Sequence, residues 1–311
     1  MAPTGPLLGI VAAVCFGTAD VLVRGVTRRI GWRATLFWIQ AGSLPFLAVA
    51  AAAGGEGIPI AAIEWPIALA AGPLALVAAV GLYRALATGP VSVVSPVAGS
   101  FAVVAVAWAA LASGTVPAWL WLCAGGTVAG VALSSPAPTT AATAASPKPV
   151  GWAALHALAF GTLLHVVGPL TRATDPLTTT ALLRAECAVL ALPLLRGRRA
   201  HAATPKRLLA AVILFDTLGL YAYAAAAQRP EDAPLAAVLA ACFPAVAVVL
   251  SRWHLRERLR RRQAWGVAVL VGTAALATGL SSRPPISPGG LGPTRHAAPS
   301  DTPPQAARRP R

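Results

Sequence analysis

The chain has 311 residues, of which 57% are hydrophobic and 11% charged, with a formal net charge of +15. A water-soluble domain normally carries roughly 25% charged residues, so water is not the principal solvent of this polypeptide. The apolar stretches show none of the alternation of a membrane barrel. Helices are then the remaining way to satisfy backbone amides in lipid.

Windows of about 20 residues predict ten spans, at 5–23, 34–53, 65–84, 90–111, 118–134, 150–169, 177–195, 208–226, 233–251 and 264–281. No base precedes the first apolar run, so it lacks the charged leader of a secretory signal and is expected to be retained. The turn after it carries Arg24, Arg28, Arg29 and Arg33, and the turn after span two carries Glu56 and Glu64 without a base. Pro45, Pro73, Pro96, Pro193 and Pro244 fall inside spans, where they kink helices and shape cavities. Residues 135–149, rich in Ser, Thr, Ala and Pro, read as a linker, and 282–311 as a disordered tail. The four cysteines, Cys15, Cys123, Cys187 and Cys242, lie one to a span without metal or redox spacing and read as small buried hydrophobes. Neither a cofactor nor a metal is implied.

Landmarks repeat between the two sets of five spans. Phe16-Gly17-Thr18 recurs 144 residues on as Phe160-Gly161-Thr162, and the same shift carries Pro90 onto Pro234 and Trp121 onto Trp265. Gly81-Leu82-Tyr83 recurs as Gly219-Leu220-Tyr221 at a shift of 138, with the balancing insertion placed near Arg229-Pro230-Glu231-Asp232. A five-span unit inserted twice in succession has opposite senses, and the charges test this independently. The basic turn after span one has a nearly neutral counterpart, Arg172 beside Asp175. The acidic turn after span two has a basic one, with Arg196, Arg198, Arg199, Lys206 and Arg207. The uncharged turn between spans four and five is answered by Arg252, Arg256, Arg258, Arg260, Arg261 and Arg262. Two halves obeying one positive-inside rule in opposite orientations require this exchange.

The expected fold is therefore an all-α membrane protein of ten transmembrane helices in two inverted five-helix repeats, 1–134 and 150–281. Outside Arg184 and the tail, only Arg172 and Arg229 lie off the face holding the odd-to-even turns, which places that face in the cytoplasm and both termini outside. The net charge is an orientation signal and a contact for anionic lipid head groups, not a sign of nucleic-acid binding.

With these landmarks the chain resembles the ten-helix EamA-type members of the drug/metabolite transporter superfamily over nearly all of 5–281. The resemblance is carried by Phe16-Gly17-Thr18, by Tyr83-Arg84-Ala85-Leu86-Ala87 leading through Pro90, and by Glu257-Arg258-Leu259 followed by Gln263, Gly266 and Gly272. It implies a multi-pass transporter of the cell membrane. An arginine within the second helix of a repeat, often present in the family, is matched by Arg184, with Gln40 at the same place in the first copy; the family's acid after the fourth helix is replaced there by Ser113. The resemblance implies cytoplasmic termini, against the charge count.

Three acids lie inside spans: Asp20, Glu186 and Asp216. An ionised side chain at that depth costs about 2.5–3.5 kcal/mol or more, so each needs a partner or a purpose. Asp20 has Arg24 four residues on, either as an i,i+4 partner or beside a transport role. Asp216 sits near the middle of span eight with Gly219 and Tyr223 on its face, a gap and a hydroxyl beside a carboxyl. It is either a protonated core residue or a proton site that loads and releases as its surroundings alternate between wet and dry. Arg184 and Glu186, two positions apart, face different ways. Arg184 suits either a substrate carboxylate or an ion pair with Glu186 or Asp216. His156 and His165 point in nearly opposite directions and share no metal; His165, beside Thr162, Gly168 and Pro169, is a candidate for a pathway. Gln40, Trp38 and Tyr83 complete the candidates, with Trp38, Trp65, Trp119 and Trp152 also read as an interfacial belt.

The function these features imply is secondary active transport, export of a small amphipathic metabolite or drug by alternating access, with proton coupling at Asp216. The alternatives are an integral-membrane enzyme acting on lipid-linked substrates and a non-transporting scaffold. No phosphate-binding Gly-Lys-Ser/Thr loop is present, and no two acids or histidines stand at i,i+3 or i,i+4 in a span, against the enzyme.

Overall fold

The computed structural model describes residues 4–55, 59–88, 94, 97–134, 147–195, 206–255 and 261–281. Among them the chain is helical: α1 (Thr4–Ile30), α2 (Trp32–Gly54), α3 (Trp65–Thr88), α4 (Phe101–Ser113) and α5 (Ala118–Ser134) form the first half. The second half holds α6 (Pro147–Ala173), α7 (Pro176–Ala191), α8 (Lys206–Ala227), α9 (Ala233–Ala240), α10 (Phe243–Leu255) and α11 (Arg261–Ser281). Among the described residues, eight spans are long and apolar enough to cross a membrane, with α9 and the start of α10 counted together as Ala233–Leu250. The segments Val97–Ser113 and Ala118–Ser134 are shorter apolar helices. The protein is a multi-pass, all-helical membrane protein.

Several boundaries differ from the hydropathy reading for local reasons. α1 continues through Arg28 and Arg29 to Ile30, because arginine is a good helix former once it reaches the head groups. The turn into α2 is Gly31 alone, at φ 79°, a conformation that costs glycine little. α6 begins at Pro147, inside the expected linker, since proline is tolerated in a first turn, where the missing N–H had no partner anyway. Asp175 caps α7, its Oδ1 accepting from the amides of Leu177 at 2.7 Å and Thr178 at 2.9 Å. Pro193 follows that helix within a 3-10 turn, Leu192–Leu195, rather than kinking it. Pro45 and Pro73 do lie within α2 and α3. Pro96, the linker residues 135–146, the tail and the Glu257-Arg258-Leu259 stretch lie outside the described residues.

The ninth span is two helices, not one. Pro244 has no N–H to offer the carbonyl of Ala240, and the chain breaks at Ala241-Cys242. α9 is apolar all round and correspondingly buried, with Leu235 through Ala240 no more than 3% exposed. The break delivers Phe243 to the centre of the molecule.

Helix pairings run mainly between the halves and repeat when the halves are exchanged. α1 packs on α8 as α6 packs on α3, α1 on α10 as α6 on α4, while α2 on α7 and α5 on α11 answer themselves. Small residues permit the close crossings. A Cβ on Gly17 would lie 2.5 Å from the Phe243 carbonyl oxygen, and one on Gly161 would lie 2.7 Å from that of Phe101. At the α5–α11 crossing, Gly266 lies directly on the backbone of Gly130 and Ser134. Hydroxyls inside the bundle return to their own helices: Thr127 donates to Cys123 O at 2.9 Å and Thr180 to Pro176 O at 2.7 Å. All four cysteines are free and buried.

Candidate functional site

Where the two halves meet lies a cavity of about 150 Å³, walled by α1, α2, α3, α6, α7 and α8 and by the first residues of α4 and α10. Its two ends differ in chemistry. One is aromatic, built from Phe16, Phe101, Phe160 and Phe243. Phe101 meets Phe160 edge-on at 4.9 Å between centroids, Phe16 meets Phe160 edge-on at 6.3 Å, and Phe101 stacks on Phe243 at 6.5 Å. The other end is polar.

Arg184 organises the polar end from α7. Its Nη1 donates to Gln40 Oε1 on α2 at 2.9 Å. Its Nη2 donates to the backbone oxygen of Asp216 on α8 at 2.9 Å and pairs with Asp216 Oδ2 at 2.7 Å. Nε is buried with no partner among the described residues. One guanidinium thus ties a helix of the first half to two of the second. The residues it links were the repeat counterparts in the sequence, Gln40 and Arg184, 144 positions apart. Of the ion-pair partners open to Arg184, the structure selects Asp216. The pair is unevenly exposed, the Arg184 side chain at 6% and the Asp216 side chain at 27%.

Asp20 and Tyr83 line the same cavity, from α1 and α3. The side chain of Arg24, expected as the partner of Asp20, lies outside the described residues. Glu186, facing away from Arg184, rests on Gly72 of α3, where any Cβ would collide with its carboxyl group. The gap expected at Gly219 is occupied: the Phe16 ring packs against it, 2.7 Å from where a Cβ would stand. Tyr223 is buried and donates its hydroxyl to Leu164 O at 3.1 Å, outside the cavity lining. His165 stacks on Trp108 at 5.4 Å, and Trp108 Nε1 donates to Thr162 Oγ1 at 3.0 Å, again away from the lining. Trp38 and Trp65 are exposed as an interfacial belt requires, whereas Trp119 and Trp152 are half-buried in helix packing.

His156 is the lining residue that the sequence placed only as a core histidine. Its Nδ1 lies 2.8 Å from Ala78 O, and its ring stacks on Phe160 at 5.4 Å. The aromatic quartet was half visible, since Phe16 and Phe160 belong to the repeated motif. Phe101 and Phe243 are 142 apart, two residues off the common register, and escaped it. Beyond Tyr83, the Arg84 guanidinium lies between Trp152 at 4.7 Å and Trp32 at 5.7 Å, and Arg33 covers Trp32 at 5.3 Å. This cation–π stack joins α2, α3 and α6 beside the cavity.

Comparison with known proteins agrees with this architecture. Residues 147–279 match the family described as EamA-like transporter family. No curated protein matches the chain. A solved structure titled "Crystal structure of protein" superposes with a TM-score of 0.73 at 18% identity, over 89% of this chain and 96% of its own, a likeness of fold. The protein is thus a multi-pass helical membrane protein whose second half, residues 147–279, is similar to the EamA-like transporter family, in line with the resemblance in its sequence.

Proposed function

We propose that the protein is a secondary active transporter of the plasma membrane that exports a small amphipathic metabolite or drug by alternating access. The observation that carries this reading is the cavity: an ion pair and an amide, contributed by both halves, face an aromatic pocket at the seam between them. Two inverted five-helix halves rocking about that seam would expose it to each side in turn. Supporting the inversion are the exchange of basic turns between copies and the helix pairings that repeat when the halves are swapped. The helix broken at Ala241-Cys242, with Phe243 in the cavity wall, is the discontinuous element that transporters of this build place at their sites.

In this mechanism Asp216 carries the coupled proton. The pair with Arg184 holds the carboxyl group in one state of the cycle, and opening of the pair frees it for the coupled proton. Arg184 and Gln40 hold it in place, and Asp20 and Tyr83 complete the polar wall. Arginines at the membrane face, Arg28, Arg29 and Arg33, contact anionic lipid.

A metabolite uptake-and-efflux screen in overexpressing cells, followed by flux in proteoliposomes with and without a pH gradient, tests the reading. Flux stimulated by the gradient and lost in Asp216→Asn is expected; gradient-independent leakage equal in both proteins would contradict it. A reporter fused after Arg311 decides between the outside termini of the charge count and the cytoplasmic termini of the resemblance.

A further inference from the structure

The chemistry of the cavity wall narrows the cargo. We propose that the cavity takes a small amine, its ammonium on Asp216 and its apolar body among the four phenylalanines, rather than an acid gripped by Arg184; this rests on the transporter reading of the same site.

Arg184 is the obvious anchor for a carboxylate, but three of its five N–H donors are already engaged and a fourth, on Nε, is buried. Both terminal nitrogens are committed, to Gln40 and to Asp216, and Nε is sealed from the cavity. The guanidinium is shielded behind the carboxylate it holds, at 6% exposure against 27%. An incoming acid would have to displace Asp216 from Arg184 and then lie beside the displaced charge, a like-charge contact. An ammonium requires no such exchange, since it meets the exposed carboxyl group directly.

The remaining polar groups agree. The oxygen of Gln40 is used by Arg184. A backbone carbonyl only accepts, so His156 Nδ1, 2.8 Å from Ala78 O, is the donor there. The neutral ring then keeps Nε2 as an acceptor. Asp20 adds a further carboxyl group to the lining. The phenylalanine faces are negative and attract a cation, as they would not an anion. A cavity of roughly 150 Å³ accommodates about one benzene ring, so the space of about 150 Å³ here suits a single ring or a branched alkyl group with a short charged arm.

Three probes that share a phenyl ring and a two-atom or shorter spacer separate the possibilities: 2-phenylethylamine, 2-phenylethanol and phenylacetate, each titrated against the purified full-length protein by thermal unfolding in detergent. The expected result is saturable stabilisation by the amine, at least tenfold tighter than by the acid or alcohol. Asp216→Asn alone leaves Arg184 unpaired and so risks misfolding. The double variant Arg184→Gln/Asp216→Asn removes both charges; it should fold and bind the amine at least tenfold more weakly. Preference for the acid, no binding of any probe, or an unchanged amine affinity in the double variant would overturn the proposal. Counterflow in proteoliposomes keeps the two readings apart. Amine bound but not moved leaves the cargo chemistry intact and removes transport, whereas counterflow of the acid alone does the reverse.

Discussion

Where α2 of the first half crosses α7 of the second, the first supplies Gln40 and the second Arg184, 144 residues apart and joined by a 2.9 Å hydrogen bond. The halves agree in packing residues: Gly17 lies on the Phe243 backbone as Gly161 lies on that of Phe101. They disagree in charge. Matching glycines let each half make the same close approach, while a single arginine stands among the residues lining the cavity. That one guanidinium joins helices of both halves; a second would bring two like charges together in a medium that screens them poorly.

The comparison breaks most visibly at Arg184. Arg184→Met leaves Asp216 without its cation and Gln40 without its donor, a loss of about 3 kcal/mol, at the lower end for a broken buried pair because Asp216 is partly exposed. Thermal unfolding in detergent should register it, and Gln40→Met should cost far less, about 1 kcal/mol for one hydrogen bond. Equal losses at the two positions would refute the claimed asymmetry of charge.

The matching glycines test the claimed symmetry of packing. Gly17→Ala and Gly161→Ala each force a methyl group onto a facing backbone, costing about 1–3 kcal/mol through displaced helices. The two should cost the same within error in the same unfolding assay. Tyr223→Phe, outside the cavity lining, should lose about 1 kcal/mol with its bond to Leu164 O and leave flux per folded molecule unchanged.

The smallest effect is expected at Asp232, in the turn before α9. Burial raises its carboxyl pKa, Glu231 adds to this and Arg229 opposes it. The folded protein therefore binds this proton more tightly than the unfolded chain does. The stability so gained is complete in acid and is lost as pH rises through the raised value. Asp232→Asn should flatten that part of the stability–pH curve; an unaltered profile would show the group to be uncoupled from folding.

Much of the scaffold was legible because lipid leaves so few solutions: apolar windows marked the helices, and the repeated Phe-Gly-Thr landmark contains Gly17 and Gly161, which lie at two of the close crossings. The same shift named Gln40 and Arg184 as counterparts before the structure joined them. The break at Ala241 was not legible, since hydropathy is blind to it; only Pro244, with no N–H for the carbonyl four residues back, announced it. Phe243 also stands two residues off the common register, which hid half of the aromatic quartet. The partner of Arg184 was also open in one dimension, because helical spacing shows which residues share a face but not which face of another helix it meets.

The most direct test of the account is counterflow through proteoliposomes under an imposed pH gradient, comparing the native chain with Asp216→Asn and with Tyr223→Phe, each normalised to folded protein. The account expects gradient-stimulated flux in the native chain and in Tyr223→Phe, and its loss in Asp216→Asn. Stimulation that survives in Asp216→Asn would remove the cavity carboxylate from the mechanism.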